Sequence, residues 1–276
     1  MTLQRTFEDL STQLTASLAM CRARTRPREV HDLRTYTRKL EAVLTMVMID
    51  HRGAKKAIKA IGNLLDSLGK VRKAAGLVRD SDVQRKIVSR LSRQLVQVPQ
   101  DETGDDVKDD LEHLREHLKK DRKTHAHALR KLLSSIELPL QERLHDCEDK
   151  LASLQPGKTA PHQHARRWLA ANRYRGRFRN PDDLHEFRKE TKGVRYIAEL
   201  QPELESSVAL ANDIRSMNDA IGAWHDYEVL AEEARSWIGK KSALTKAICL
   251  RRDRKWKRAL RMVASIKKRH SKLFPS

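Results

Sequence analysis

The sequence contains few of the residues that crosslink a chain or interrupt regular structure. Its 276 residues include 3 cysteines, 8 prolines and 10 glycines. The cysteines, Cys21, Cys147 and Cys249, are odd in number and far apart, and no Cys-x-x-Cys occurs, which argues against both a disulfide framework and a zinc ribbon. A chain of this length buries enough surface to fold without crosslinks or metals. A reducing compartment is therefore the expected setting.

Long apolar runs and a secretion signal are also missing. The longest apolar stretch, Ala42–Ile49, is far shorter than the ~20 residues of a membrane-spanning helix. The start, Met1–Glu8, lacks the charged and then apolar pattern of a signal peptide. We therefore expect a soluble, cytoplasmic protein that has no membrane partner.

Positive charge dominates the composition. Lysine and arginine number 57 against 37 aspartate and glutamate residues, which gives a net charge of +20 and a pI of about 10.1. This excess persists at any physiological pH and attracts polyanions. The partner class that the composition predicts is therefore polyanions.

Apolar residues recur at three- and four-residue spacing, which predicts an all-α chain. Proline and glycine at 98–104 and 155–161 predict two breaks, and the second divides the chain into helical bundles at 1–155 and 162–276. The predicted helices are Leu3–Ala23, Arg28–Met48, Lys55–Ala74, Asp80–Val96, Asp106–Ser134, Leu138–Leu154, His164–Arg173, Asp182–Glu199, Glu203–Ile221, Asp226–Trp237 and Ala243–His270.

One helical segment occurs twice. Pro27–Arg34, followed by Arg38, returns as Pro181–Arg188, followed by Lys192, at a constant offset of 154 residues. With ~3.6 residues per turn, the i, i+3, i+7 spacing of the histidine, the arginine and the next basic residue puts all three on one helix face. An apolar stripe lies about 110° away in each copy, so the cations should flank a packed face. Asn180 is a good N-cap for the second copy. Two matched basic stripes predict one polyanionic ligand.

A shorter correspondence supports an internal duplication. Gly76–Val83 aligns with Gly222–Val229 at an offset of 146 residues. The difference between the two offsets is ordinary for loops between helices. Each half is therefore predicted to form an antiparallel bundle of about four main helices.

These motifs resemble the conserved histidine α-helical domain (CHAD) family. Val30–Arg34 with Arg38–Leu40 is similar to its signature of an apolar residue, histidine and spaced basic residues, and Leu184–Lys189 with Lys192–Tyr196 matches it better. The two glycine-containing motifs are similar to its downstream element, and the four blocks span nearly the whole chain. The resemblance implies two helical bundles related by pseudo-twofold symmetry, with a basic central channel that binds inorganic polyphosphate.

The resemblance also implies which side chains contact the anion. They are His31, Arg34, Arg38, Lys39, Arg79, His185, Arg188, Lys189, Lys192, Arg195 and His225. Two positions depart from the family pattern: Glu41 stands where an arginine corresponding to Arg195 is usual, and Gly193 replaces a common basic residue. The two halves are therefore expected to contribute unequally. No cofactor is implied, and this role is compatible with association with polyphosphate granules.

The chemistry of the stripes agrees with a phosphate polymer. Polyphosphate has no base edges, so its recognition needs spaced cations, with arginine supplying forked donors and lysine a point charge. Aromatic residues are scarce, with four each of Trp, Tyr and Phe, and none lies on either stripe. His31 and His185, crowded by arginines, are expected to stay neutral near pH 7, with one ring nitrogen free to donate and the other to accept.

Catalytic groups are weakly indicated. Asp80 with Asp82, and Asp226 with Glu228, resemble magnesium ligands, but residues two apart on a helix diverge. Pairing with a helix N-terminus, or ion pairs that orient arginines, are the favoured interpretations. Cations without a nucleophile or a positioned water do not make a hydrolase, so we expect a binding protein with no catalytic residue.

One metal motif is present. His113–His117 matches the H-x-x-E-H of inverted zinc proteases. In a chain with 12 histidines, and in a highly charged helix, such a match arises easily by chance, and no third ligand is evident. The sequence therefore predicts no metal site.

Nucleic acid is the alternative ligand. Arg173–Arg179 interleaves aromatic residues with arginines, and Arg251–Arg258 is a second basic run. Their simpler interpretations are a basic connector before the second repeated helix and a solvated terminal helix with Trp256 packed inward. A non-specific nucleic-acid-binding protein of chromatin type stays the alternative to polyphosphate binding.

Overall fold

A computed structural model describes residues 3–96, 105–155, 157, 159–171, 178 and 180–271 of the chain. Over these residues the regular structure consists of eight α-helices, which confirms the all-α prediction. None of these helices is both long enough and apolar enough to cross a bilayer. The helices are α1 (Leu3–Ala23), α2 (Pro27–Asp50), α3 (Lys55–Val96), α4 (Asp105–Ala152), α5 (Pro161–Ala170), α6 (Pro181–Ala198), α7 (Glu205–Trp237) and α8 (Ala243–Arg269).

The two copies of the repeated segment are α2 and α6, and both begin where the sequence predicts. Pro27 and Pro181 occupy the first turn, where an amide hydrogen has no partner within the helix. The side chain of Asn180 accepts a hydrogen bond from the amide of Asp183 at 2.8 Å, which confirms the predicted N-cap. Arg26 gives α2 no such side-chain cap, so the first copy depends more on its tertiary packing.

The apolar stripes of α2 and α6 are buried, as their spacing predicts. Ala42 and Met46 of α2 belong to the same core as Phe187 of α6, so the two repeated helices pack side by side. The cationic stripes therefore flank this contact from both helices. The stripe residues, each at most 1% exposed, are Val30, Leu33, Leu40, Leu44, Val47, Leu184, Phe187, Val194 and Ala198.

Three groups of buried apolar side chains hold the helices together. The first is formed by α1 to α4, and the second by α5 to α8 with a contribution from α2. The third joins Val88 of α3 and Leu114 of α4 to Leu230 of α7 and Ile248 of α8. Each half of the chain thus has a core of its own, and a shared core couples the halves. The pseudo-twofold relation and the division at 155–162 stay predictions.

Two predicted helix breaks at glycine are wrong. α3 continues through Gly76, and α7 continues through Gly222, so the segments predicted as separate helices are continuous. A single glycine inside a helix costs only about 1 kcal/mol relative to alanine, which tertiary packing readily offsets. Because the helices continue, the shorter repeated motif lies in a helix interior and not at a helix start.

The predicted break between residues 134 and 138 is also wrong. α4 runs without interruption and carries Pro139 in its interior. An interior proline costs roughly 3 kcal/mol, but Leu133, Ile136 and Leu140 on either side are buried in the first core and hold the helix in place. The break at 155–161 is confirmed, whereas that at 98–104 lies outside the described residues.

Candidate functional site: a cation-lined cavity

A cavity of about 430 Å³ lies between α2, α3, α6 and α7. Its lining contains nine arginine and lysine residues against two aspartates. Lys39 lies outside it, with Nζ 5.9 Å from the ring centre of Tyr36, and its role stays a prediction. Ten of the eleven predicted contact residues line the cavity: His31, Arg34, Arg38, Arg79, His185, Arg188, Lys189, Lys192, Arg195 and His225.

Two arginines of the stripes make equivalent contacts in the two halves. Nη1 of Arg34 donates to the main-chain carbonyl of Arg72 in α3 at 3.1 Å, and Nε of Arg188 donates to that of Asn218 in α7 at 3.4 Å. Arg34 and Arg188 are related by the offset of 154, and the two acceptors by the offset of 146. The sequence repeat is therefore reproduced in the side-chain geometry of the cavity.

Gly76 and Gly222 allow these guanidinium groups to approach the helix backbone. A Cβ on Gly76 would lie 2.7 Å from Nη1 of Arg34, and a Cβ on Gly222 would lie 2.8 Å from Nη2 of Arg188. Both distances are shorter than van der Waals contact, so an alanine at either position would displace the arginine. The glycine of the shorter motif thus serves the site and does not end a helix.

Arg79 joins α3 to α7 at the cavity. Its Nη1 lies 2.8 Å from Oδ1 of Asp226 and 3.2 Å from Oδ1 of Asp80. Burial lowers the pKa of Arg79, but the two carboxylates outweigh this effect and raise it above its ordinary value. The pair between α3 and α7 therefore fixes one cation of the cavity in place.

The four carboxylates that resembled magnesium ligands are all paired with arginines. The prediction that they hold Arg79 or the stripe arginines is confirmed for Asp80 and Asp226, whereas the other two hold arginines outside that set. The alternative of pairing with a helix N-terminus is wrong, because all four lie in helix interiors. Two of the four, Asp80 and Asp226, orient Arg79 of the cavity lining and offset part of its charge. The pairs are Asp80 and Asp226 with Arg79, Asp82 with Arg122 at 3.0 Å, and Glu228 with Arg252 at 3.4 Å.

Cations from both halves depress one another's pKa values. Burial lowers the pKa of Lys192 well below its ordinary value, and the charges of Arg188 and Arg38 lower it further. Burial also lowers the pKa of Arg34 and that of Arg188 to about 10, opposed by aspartates and reinforced by nearby arginines. Both arginines stay protonated at pH 7. An anion among these groups would offset their repulsion and their loss of hydration.

Two imidazoles and one amide add neutral hydrogen-bonding groups. The ring centres of His185 and His225 are 4.4 Å apart. Burial and then neighbouring groups lower the pKa of both, that of His225 to about 4, so both rings are neutral at pH 7. Nδ1 of His185 and Nδ2 of Asn218 are buried and have no hydrogen-bond partner among the described residues. His31 occupies an exposed position in the lining.

Sequence reasoning missed the contribution of α3 before its glycine. Arg72 and Lys73 line the cavity, and Nε of Arg72 donates to Oε1 of Glu41 at 2.8 Å. Glu41 and Arg195 are equivalent by the repeat, as are Arg72 and Asn218. The first half therefore carries on α3 the arginine that the second half carries on α6. The spacing of Arg72 ahead of Gly76, i to i+4 on one helix, is the signal that could have revealed it.

Gly193, the second departure from the family pattern, faces the ring of Trp168 from α5. A Cβ at this position would lie 2.9 Å from a ring carbon of Trp168. Because an indole ring cannot bend away as a flexible side chain can, it occupies the space where a basic side chain would begin. The missing cation is thus explained by local packing of α5 on α6.

Of the two basic stretches that suggested nucleic-acid binding, the structure describes only the second in full. Arg173–Arg179 lies outside the described residues, apart from Phe178. Arg251–Arg258 lies in α8. There Trp256 packs against Trp224 with ring centres 4.9 Å apart, which confirms the predicted inward packing of Trp256. Arg251–Arg258 does not line the cavity.

Comparisons with known proteins agree with this architecture. A family model described as "CHAD domain" matches residues 5–235. Among solved structures, the chain is similar to the crystal structure of the CHAD domain from the plant Ricinus communis, with a TM-score of 0.59 and 16% sequence identity over 100% of this chain and 92% of that chain. A sequence identity of 16% shows similarity of fold alone. A search of curated proteins found no match. Because the family model spans most of its length, the chain belongs to the CHAD family.

Proposed function

We propose that the protein binds inorganic polyphosphate in the cavity between α2, α3, α6 and α7. The observation that carries this proposal is the convergence of buried cations from both halves, among them Arg34, Arg188 and Lys192, with depressed pKa values. Burying these cations without an anion costs free energy, because they repel one another and lose hydration. Phosphate groups that enter the cavity would offset this cost through charge-assisted hydrogen bonds. Polyphosphate binding is also a general property of the CHAD family.

The shape of the site favours a single phosphate chain over a duplex. The cations line a cavity of about 430 Å³ rather than an open surface, whereas a nucleic-acid duplex is read from its grooves and outer backbone. The neutral imidazoles of His185 and His225 suit phosphate oxygens as hydrogen-bond partners without adding charge. The lining offers no pair of aromatic rings for stacked bases among the described residues.

We further propose that the protein binds the polymer without cleaving it. Asp80 in the cavity lining and Asp226 beside it are both paired with Arg79 rather than free to hold a metal or to activate water. The other carboxylate of the lining, Asp219, lies at an exposed position of α7. Incubation of the protein with polyphosphate, with and without Mg²⁺, should therefore release no orthophosphate above the buffer control. Release that scales with protein concentration would contradict this part of the proposal.

A competition experiment distinguishes polyphosphate from nucleic acid. Long-chain polyphosphate, short oligophosphates and duplex DNA are each titrated into the protein at 50 and 300 mM salt. We expect polyphosphate binding to survive at the higher salt, because buried ion pairs are screened less than exposed ones, and DNA binding to be lost. Equal loss of both ligands would support a diffuse basic surface instead.

Matched variants locate the site. The double substitution Arg34→Gln with Arg188→Gln removes two cavity cations, and Arg115→Gln with Lys119→Gln removes two exposed cations from α4. Both doubles lower the net charge equally. We expect the first to weaken polyphosphate binding by ~100-fold or more, at about 1.5–3 kcal/mol per charged contact, and the second by less than ~3-fold.

An equal loss of polyphosphate affinity in the two double variants would show that the cavity is not the binding site. A larger loss on substitution of the arginines in 173–179 would place the site on that stretch and favour the nucleic-acid alternative. For cells that accumulate polyphosphate granules, we propose that the tagged protein associates with them. The cavity double variant should then be dispersed in the cytoplasm.

A further inference from the structure

Three metal-ligand side chains converge away from the cavity, on α4 and α7. Nε2 of His117 lies 3.2 Å from Oδ2 of Asp121, one turn later on α4, and 3.0 Å from Oε2 of Glu233 on α7. The three ligand atoms all lie within 4.8 Å of one another. This set differs from the H-x-x-E-H motif, since Glu116 pairs with Lys119 on the exposed face of α4.

Hydrogen bonding alone accounts poorly for this arrangement. Nε2 of a neutral imidazole carries at most one hydrogen, which cannot point well at two carboxylates at once. A divalent transition metal binds histidine nitrogen and carboxylate oxygen at ~2.0–2.2 Å, so ligand atoms around one ion lie roughly 3 Å apart. The distances of 3.0 and 3.2 Å from His117 match that spacing. Two carboxylates also balance the charge of one divalent ion.

The surroundings of His117 hold its imidazole in place between α4 and α7. His117 itself is held firmly, because its side chain is only 9% exposed and is stacked on Trp237 with ring centres 3.8 Å apart.

We propose that His117, Asp121 and Glu233 bind a divalent transition metal ion between α4 and α7. One imidazole and two carboxylates best suit Zn²⁺, whereas Mg²⁺ prefers an all-oxygen shell. Three protein ligands leave a coordination position for water. The ion links a helix of the first half to a helix of the second, next to the core that couples the halves. This site is separate from the cavity and does not depend on the proposed function.

Calorimetry on the full-length, tag-free protein tests the site. The protein is treated with a chelator, dialysed and titrated with Zn²⁺, and with Mg²⁺ for comparison. We expect one Zn²⁺ site per chain, a melting temperature that rises with Zn²⁺ concentration, and no comparable effect of Mg²⁺. Glu233→Gln and Asp121→Asn preserve side-chain shape, and each should weaken Zn²⁺ binding about tenfold or more.

A matched control is available on the same helix. His145 and Asp149 form a histidine–aspartate pair with the same i, i+4 spacing at 3.7 Å, but they belong to no three-ligand group among the described residues. His145→Asn should leave Zn²⁺ affinity unchanged. The proposal is overturned if the wild-type protein binds no Zn²⁺, or if Glu233→Gln binds it as tightly as wild type. In either case the three groups form a polar contact between α4 and α7 and no metal site.

Discussion

Arg79 Nη1 and Asp226 Oδ1, 2.8 Å apart, form an ion pair that joins the two halves of the chain at the edge of the cavity. The side chains are 28% and 17% exposed, so the pair is partly shielded from water. Asp226 also raises the pKa of Arg188, which burial lowers. One carboxylate thus orients one cation and partly neutralises another.

The first prediction concerns this carboxylate. Asp226→Asn should lower the free energy of unfolding by about 1–3 kcal/mol, because Arg79 stays partly buried after losing a charged partner. Polyphosphate supplies new negative charge, so it should stabilise the variant more than it stabilises wild type. Urea unfolding with and without polyphosphate measures both effects. Asp146→Asn, at an exposed ion pair with Lys150, is the control, and an equal cost in the two variants would contradict the prediction.

The second prediction concerns the two glycines against which the arginines lie. Gly76→Ala and Gly222→Ala should each fold normally, since alanine favours the helix by about 1 kcal/mol and the crowded atoms belong to the ends of flexible side chains. The guanidinium groups of Arg34 and Arg188 must move, however, so polyphosphate affinity should fall about tenfold.

Gly69→Ala is the control for these variants, because no atom lies within 4 Å of its added Cβ. It should raise the free energy of unfolding and leave polyphosphate affinity unchanged. Isothermal titration and thermal unfolding separate the two quantities. Unchanged affinity in Gly76→Ala would show that the close approach of Arg34 is not needed for binding.

The sequence repeat predicted six residues of the cavity lining, and the family resemblance supplied the other four predicted ones. A spacing of i, i+3, i+7 puts side chains on one helix face whatever the helix packs against, so the positions of Arg34, Arg38, Arg188 and Lys192 follow from local geometry once helices are assumed. The buried stripe that contains Phe187 follows in the same way. Both predictions depend only on residues within one helix.

The features that were missed depend on contacts or on helix continuity. A break predicted at residues 75–79 separated Arg72 from Arg79, although on the continuous α3 they share a face with Gly76. Glycine has a local cost that favours a break, and only the approach of Arg34 from another helix explains why it is there. Likewise, Glu233 meets His117 across 116 residues of sequence, which no spacing rule within one helix can reveal.

The third prediction concerns the unequal halves. Glu41 holds Arg72 at 2.8 Å, so Glu41→Gln should release a cation to the cavity and tighten polyphosphate binding several-fold, by about 0.5–1 kcal/mol. Arg72→Gln should weaken binding, because it removes a cation and leaves Glu41 unpaired. Arg215→Gln on the exposed face of α7 lowers the net charge equally and should have little effect. Weaker binding in Glu41→Gln would refute the compensation between α2 and α3.

The last prediction concerns pH. The pKa of His225 in the folded protein is about 4, against an ordinary value of ~6.5, and burial is the main cause. Between these values the unfolded chain holds the proton and the folded chain does not, so stability falls as pH decreases from about 6.5 towards 4. The loss from this one group is at most about 3 kcal/mol. Above pH 7 both states are neutral and the effect vanishes.

Polyphosphate affinity should change with pH in the opposite direction to stability. An anion beside His225 and His185 favours their protonated forms, so binding takes up protons and affinity should increase as pH falls from 7.5 to 5.5. His185→Asn with His225→Asn removes these groups and should flatten the pH dependence of Kd, whereas the exposed His145→Asn should not. Because the arginines stay charged throughout this range, a steep dependence that persists in the double variant would mean that other groups take up the protons.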